Sequence, residues 1–232
     1  MLKAFHFKQF SILQNSEVFR VGTDGVLLGA IASCQNALNT LEIGTGTGLI
    51  SLMIAQRNPE SKILAIDINE NAVKLAEENF QNSPFENRIF AKNIDFKEFK
   101  NHDFFDFIVC NPPFFEENNS QKDILARQQI SLNFEQLILN SAKILTKTGV
   151  FSVIIPKYEE EKFTQLCEKV HLILFRKIEI KGNANSDVKR CILEFSFERR
   201  VFHQELLVLE TSPRVYSPEY LELTKDFHLF RK

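Results

Sequence analysis

From residue 41 onward the chain alternates short apolar runs with longer amphipathic segments, and this rhythm restricts the fold more than any other property of the sequence. Apolar runs fall at residues 41–43, 63–66, 88–91, 105–110 and 150–155, and helical patterns at 49–57, 70–79 and 134–145. Strands separated by helices predict an α/β fold with a mostly parallel sheet. Asn69 stands where the second of these helices needs an N-cap, with Val73, Ala76 and Phe80 on one face. Pro156 ends the last parallel strand, because proline cannot extend a central ladder. After a helix over 159–170 the rhythm breaks. Runs 172–180 and 191–197 are joined only by the polar loop 181–190, too short for a crossover helix, which predicts an antiparallel hairpin.

The 232 residues, 44% hydrophobic, suffice for one sizeable domain with a substantial core. We expect residues 1–40 to form a hairpin and helix extension, 41–200 the main domain, and 201–232 a C-terminal extension packed on it. In the first block Phe5, Phe7 and Phe10 nearly alternate, and Thr23 or Asp24 is the expected N-cap of a helix that follows. Tyr216, Tyr220, Phe227 and Phe230 are expected to glue the C-terminal tail to the core as a helix or strap. No apolar run is long enough to span a membrane, and the N-terminus lacks the pattern of a signal peptide. Cys34, Cys110, Cys167 and Cys191 are scattered without a CxxC pair, so neither a metal site nor a disulfide framework is expected. They read as reduced core cysteines of a cytoplasmic protein. Net charge is −2, yet Arg176, Lys177, Lys181, Lys189, Arg190, Arg199 and Arg200 crowd one stretch, a candidate phosphate-binding face.

The first strand runs into Gly44-Thr45-Gly46-Thr47-Gly48, where missing Cβ atoms admit a ligand close to the backbone. The spacing differs from the dinucleotide fingerprint GxGxxG, since Leu49 stands where the last small residue is needed. Acidic residues mark three consecutive strand ends: Glu42, Asp67 and Asp95. Ligands of open α/β sheets bind at such ends. Asp67 suits two ribose hydroxyls, Asp95 an adenine amino group, and Glu42 the cationic amino-acid end of S-adenosylmethionine.

The fourth strand ends in Asn111-Pro112-Pro113-Phe114. The Asn111 side-chain oxygen and the Pro112 carbonyl can each accept one N–H of a planar amino group. This would draw the nitrogen toward tetrahedral geometry and expose its lone pair to a sulfonium methyl. Position and oriented dipoles then carry the catalysis, without a strong general base. Phe114 can stack on an extruded base, a contact worth about 1–3 kcal/mol, and Phe115 can line the pocket.

These motifs resemble class I S-adenosylmethionine-dependent methyltransferases of the amino-methylating type, whose Rossmann-like, mostly parallel seven-stranded sheet ends in an antiparallel hairpin. The ends narrow the resemblance. Phe5-His6-Phe7-Lys8-Gln9-Phe10, Arg20-Val21-Gly22-Thr23-Asp24-Gly25-Val26-Leu27-Leu28-Gly29-Ala30, Ala126-Arg127 and Tyr216-Ser217-Pro218-Glu219-Tyr220-Leu221 are similar to the bacterial tRNA1(Val) adenosine-37 N6-methyltransferase family. The resemblance implies N6-methylation of an adenosine in tRNA, and an anticodon loop is small enough for a monomer, the expected state, to reach. Gly44, Gly46, Gly48, Asp67 and Thr23 would be among the cofactor-binding residues, and Asn111 to Phe114 would hold the target adenine. Arg127, Lys189 and Arg190 are the expected RNA contacts, although Arg127-Gln128-Gln129 is less basic than the family suggests. Alternatives are a glutamine N5-methyltransferase acting on release factors, an amino-methyltransferase of adenine or guanine in rRNA or DNA, and a non-enzymatic RNA-binding module. The release-factor enzymes carry a larger helical N-terminal domain than the 40 residues that precede the glycine strand here.

Overall fold

The computed structural model describes residues 3–15, 18, 21–99, 104–112 and 133–229. Two short strands, β1 (Lys3–His6) and β2 (Ser11–Gln14), pair as a separate antiparallel hairpin. The elements that follow are α1 (Thr23–Ile31), β3 (Asn39–Ile43), α2 (Leu49–Arg57), β4 (Lys62–Asp67), α3 (Glu70–Gln81), β5 (Ile89–Asn93) and β6 (Phe105–Cys110). Then come α4 (Phe134–Ile144), β7 (Leu145–Pro156), α5 (Glu160–Lys169), β8 (Ile173–Asn183), β9 (Val188–Ser196), β10 (His203–Ser212), β11 (Val215–Tyr216) and α6 (Pro218–Thr224).

The main sheet has the order β11-β10-β8-β9-β7-β6-β3-β4-β5. Strands β5, β4, β3, β6 and β7 are parallel, and β9 runs against both β7 and β8. These seven include the predicted hairpin. The sheet exceeds the expectation by two strands, because β10 lies parallel to β8 and β11 turns back on β10. β10 is flanked on its outer side only by the two-residue β11, and Leu207 is its one buried residue, so no apolar alternation announces it.

Successive residues of a strand face opposite sides, and β6 shows the consequence. Phe107 and Val109 join the core beneath α1, α2 and α3, while Ile108 and Cys110 join the core beneath α4 and α5. Asp106, the polar residue of this run, accepts the N–H groups of Leu38 and Asn39 at 3.1 and 3.0 Å and so fixes where β3 begins. On the α4/α5 side Phe151, Phe163 and Phe195 are fully buried with ring centroids 5.9–6.4 Å apart.

Helix α3 is capped as predicted: the Asn69 side chain accepts the Asn71 N–H at 2.9 Å. Its buried face is Ala72, Leu75, Ala76, Asn79 and Phe80, which contains the expected Ala76 and Phe80, while Val73 is only half-buried. Helix α1 differs from expectation. Its N-cap is Gly22 without a side-chain cap, and neither Thr23 nor Asp24 fills that role. Asp24 instead receives Arg190 Nε at 3.1 Å.

The chain ends meet. Phe7 bridges to His228, and the Lys8 N–H donates to the Phe227 carbonyl at 2.8 Å. Tyr220 and Phe227 are buried, as the packing role requires, while Tyr216 is exposed, its ring tilted against that of Tyr220 with centroids 4.6 Å apart. Phe230 lies outside the described residues. All four cysteines are free and buried. Among the described residues no helix is long and apolar enough to cross a membrane.

Candidate active site

Strand register assembles the site. Ile43 of β3 pairs with Cys110 of β6 and with Ile66 of β4, and Asp67 pairs with Asn93 of β5. The loops after β3, β4, β5 and β6 therefore open at one edge of the sheet. That edge collects Gly44, Asp67, Asp95, Asn111 and Pro112, residues far apart in the chain.

The glycine loop is held from below. Gly44 and Thr45 donate their N–H groups to the Ile66 carbonyl at 2.8 and 3.0 Å. Gly44, Gly46 and Gly48 all have positive φ, at 75°, 56° and 82°. Two of them differ in what their missing side chains permit. A Cβ at Gly44 would meet nothing within 4 Å, so that side of the loop is open to a ligand. A Cβ at Gly48 would run into the ring of Phe80, 2.9 Å from its Cζ, so this glycine serves the packing of α2 on α3.

Glu42 lies buried beneath the loop. Its Oε2 accepts the Thr45 hydroxyl at 2.8 Å, the Ser51 N–H at 3.1 Å and the Ser51 hydroxyl. Its Oε1 is buried without a hydrogen-bond partner among the described residues. Burial pushes the carboxyl up to about 7, against the pull of the Ser51 and Thr45 donors. An orphaned carboxyl oxygen beneath an open glycine loop, held back from ionising by its burial, is suited to a cation that would favour its charged form. Cys110, beside this group, has its thiol raised by burial and by the Glu42 and Asp67 charges, so it remains a protonated core residue.

At the end of β4, Asp67 Oδ2 accepts the Gly46 N–H and Oδ1 accepts the Asn69 N–H, both at 2.9 Å. The carboxylate is thereby oriented at the loop, and each oxygen retains a second lone pair for a hydroxyl donor. Ile68 beyond it is 51% exposed, an apolar side chain at the cleft that no sequence motif marks. The Ile94 N–H donates to the Asp67 carbonyl at 3.0 Å and joins the loop after β5 to the same edge. There Asp95 also caps a short 3-10 turn, with Oδ1 accepting the Lys97 N–H at 2.9 Å.

Asn111 follows β6 half-buried, and Pro112 is buried. Pro113, Phe114, Phe115 and Arg127 lie outside the described residues. Thr23 is exposed on the first turn of α1. This turn sits beside the first turn of α2, where a Cβ at Gly25 would stand 3.2 Å from Leu49 Cδ2.

The basic stretch does not form one face. Arg190 pairs with Pro156 at the cleft end of β7, and Lys189 beside it is exposed. Arg199 and Arg200 follow the other end of β9, whose nine residues span roughly 26 Å at about 3.3 Å per residue. Between them the charges are paired. Arg176 meets Glu205 at 2.8 Å and the buried Glu194 at 3.4 Å, and Lys177 meets Glu160 at 3.0 Å. Arg200 donates to the Thr148 carbonyl and lies 4.7 Å over the Phe175 ring. Lys189 and Arg190 stand at the cleft end, and Lys181, in register with Val188, lies at the same end.

The strand order, the reversed β9 and the glycine loop opening beside Asp67 and Asn111 define a class I methyltransferase. A solved structure agrees: a predicted O-methyltransferase from Agrobacterium tumefaciens superposes with a TM-score of 0.71, covering 88% of this chain and 96% of that one at 16% identity, a likeness of fold. The Methyltransferase small domain family matches residues 19–173. A relative from Flavobacteriaceae bacterium (strain 3519-10), named tRNA1(Val) (adenine(37)-N6)-methyltransferase, is 51% identical over 99% of this chain and 100% of its own. One of the same name from Flavobacterium psychrophilum is 44% identical over 97% and 99%. The chain belongs to this family of small-domain methyltransferases.

Proposed function

We propose that this protein methylates N6 of adenosine 37 in tRNA1(Val), using S-adenosylmethionine as donor. The observation that carries the reading is the register that sets Asn111-Pro112 beside the glycine loop and Asp67 at one sheet edge. The residues present fit the donor. The partnerless Oε1 of Glu42 suits its ammonium, the open side of Gly44 admits its backbone-hugging chain, and Asp67 suits its ribose hydroxyls. Asp95 and Ile68 are placed for the adenine ring. When bound, the donor supplies an electrophilic methyl that leaves with its bond electrons returning to sulfur.

The chain's own task is to hold the acceptor. The Asn111 side-chain oxygen and the Pro112 carbonyl accept the two N–H groups of the amino nitrogen, and its lone pair forms the new C–N bond. One proton then passes from nitrogen to solvent. Lys189 and Arg190 meet phosphates; Phe114, Phe115 and Arg127, outside the described residues, keep the base-stacking, pocket and RNA-contact roles that the sequence assigns them. Oriented acceptors of this kind stabilise a developing charge distribution without reorganising. The four buried thiols suit the cytoplasm, where tRNA is found. Purified protein with labelled S-adenosylmethionine should label unmodified tRNA and leave release factor unlabelled. Label appearing only on release factor would favour the glutamine reading.

A further inference from the structure

Asn79 is fully buried on α3, yet its amide serves neither the helix nor a cap. Its Oδ1 accepts the Leu13 N–H at 2.7 Å, and its Nδ2 donates to the Leu13 carbonyl at 3.2 Å, so the side chain pairs with β2 as a strand backbone would. The other Nδ2 proton goes to the Thr47 carbonyl at 2.9 Å, between Gly46 and Gly48. One amide thus ties the N-terminal hairpin to the glycine loop. The chain beyond the hairpin follows the same path. Gln14 Oε1 accepts the Val21 N–H at 2.8 Å, and Asn15 Oδ1 accepts the Val18 N–H at 3.0 Å. Val18 is buried against Ala72 and Leu75 of α3, with Leu13 packed on them. A Cβ at Gly46 would lie 3.9 Å from Val18 Cγ1, in ordinary contact.

From this geometry we infer that Asn79 is a positioning residue for the cofactor loop, coupling its conformation to the N-terminal segment. It touches no reacting atom. The bond to the Thr47 carbonyl is buried and the two to Leu13 are part-buried, so removing the amide leaves two carbonyls and an N–H without this partner, and the loss is felt most at Thr47. Because the Thr47 carbonyl is one of them, the loss falls on the loop that receives the donor. Conversely, a ligand that orders the loop must also steady Leu13 and Val18. The inference rests on the proposed use of S-adenosylmethionine.

The protein itself supplies the control. Asn58 is a second buried amide, with Nδ2 donating at 2.7 Å to both the Cys34 and Ala37 carbonyls, remote from the glycine loop. Calorimetry with S-adenosylhomocysteine compares wild type, Asn79→Ala and Asn58→Ala. We expect Asn79→Ala to weaken binding by about tenfold and to raise KM for S-adenosylmethionine more than it lowers kcat, while Asn58→Ala stays within about threefold. Hydrogen exchange gives the second readout. S-adenosylhomocysteine should slow exchange of the Leu13 and Val18 amides in wild type, and this response should vanish in Asn79→Ala. Equal binding losses in the two variants overturn the inference, since a merely structural amide predicts that result. If Asn79→Ala does not fold, unchanged Leu13 and Val18 exchange in ligand-saturated wild type overturns it equally. Failure of wild type to bind S-adenosylhomocysteine overturns the cofactor reading and the inference together.

Discussion

Glu42→Gln separates the charge of the buried residue from its shape. In the folded protein burial keeps the Glu42 proton in place to about pH 7, whereas an ordinary glutamate loses it near 4.5. The folded state therefore carries the extra proton between these values, and stability falls as pH rises through that window. Every tenfold difference in proton affinity between the folded and unfolded chain corresponds to about 1.4 kcal/mol. Wild type should therefore lose about 2–3 kcal/mol between about pH 5 and about pH 8 from this group. Glutamine does not titrate and still offers an acceptor to Thr45 and Ser51. Urea unfolding of both proteins at several pH values should show wild type losing ground to the variant by that amount as pH rises. Donor binding should run the other way. An ammonium against Oε1 favours the ionised carboxylate, so wild-type affinity for S-adenosylmethionine should rise about tenfold from about pH 6 to about pH 8. The variant should bind weakly with a flatter profile. Parallel pH profiles of stability and binding in the two proteins would refute the reasoning, because Glu42 would then be neither abnormally protonated nor charged against the ligand.

The glycines make a paired prediction. Gly48→Ala meets both a left-handed φ and the Phe80 ring, so it should lose about 2–5 kcal/mol and lower Tm by roughly 5–15 °C. Gly44→Ala meets open space, so calorimetric unfolding should show a loss of only about 1–2 kcal/mol while donor binding falls by more than tenfold. Asn111→Ala should abolish transfer while donor affinity, measured by calorimetry, stays within about tenfold; near-normal turnover would remove its assigned role. Lys189→Ala should weaken tRNA binding and reduce the salt slope by about one charge, whereas Arg199→Ala at the far end of β9 should leave the slope unchanged.

The parts of the fold that bury a regular face are legible in the sequence. β6 is apolar on both sides because helices cover both, and α3 announces itself through Asn69 and its stripe. Ala76 and Phe80 lie on the expected stripe, but Asn79, a polar side chain, also belongs to the buried face and Val73 only partly does. β10 escapes detection because a strand with one buried residue leaves no period to follow. Within the site, Glu42, Asp67 and the glycines stand out because strand ends and glycine loops are local signals. Ser51, which donates to Glu42 Oε2, and Asn79, which spans β2 and the loop, act across tertiary distance, and neither carries a local pattern. The basic stretch misleads for the opposite reason. Its residues are close in sequence, which suggests closeness in space, but an extended β9 carries Lys189 and Arg199 to opposite ends of the sheet.

The most direct test of the central claim is the mass of the anticodon-loop fragment of tRNA1(Val). Unmodified tRNA1(Val) is incubated with the protein and S-adenosylmethionine, digested, and sequenced by tandem mass spectrometry. The expected result is one added methyl group on the base of adenosine 37, eluting as N6-methyladenosine after nucleoside digestion. An unchanged adenosine 37, or a methyl group on a different nucleotide, would contradict it.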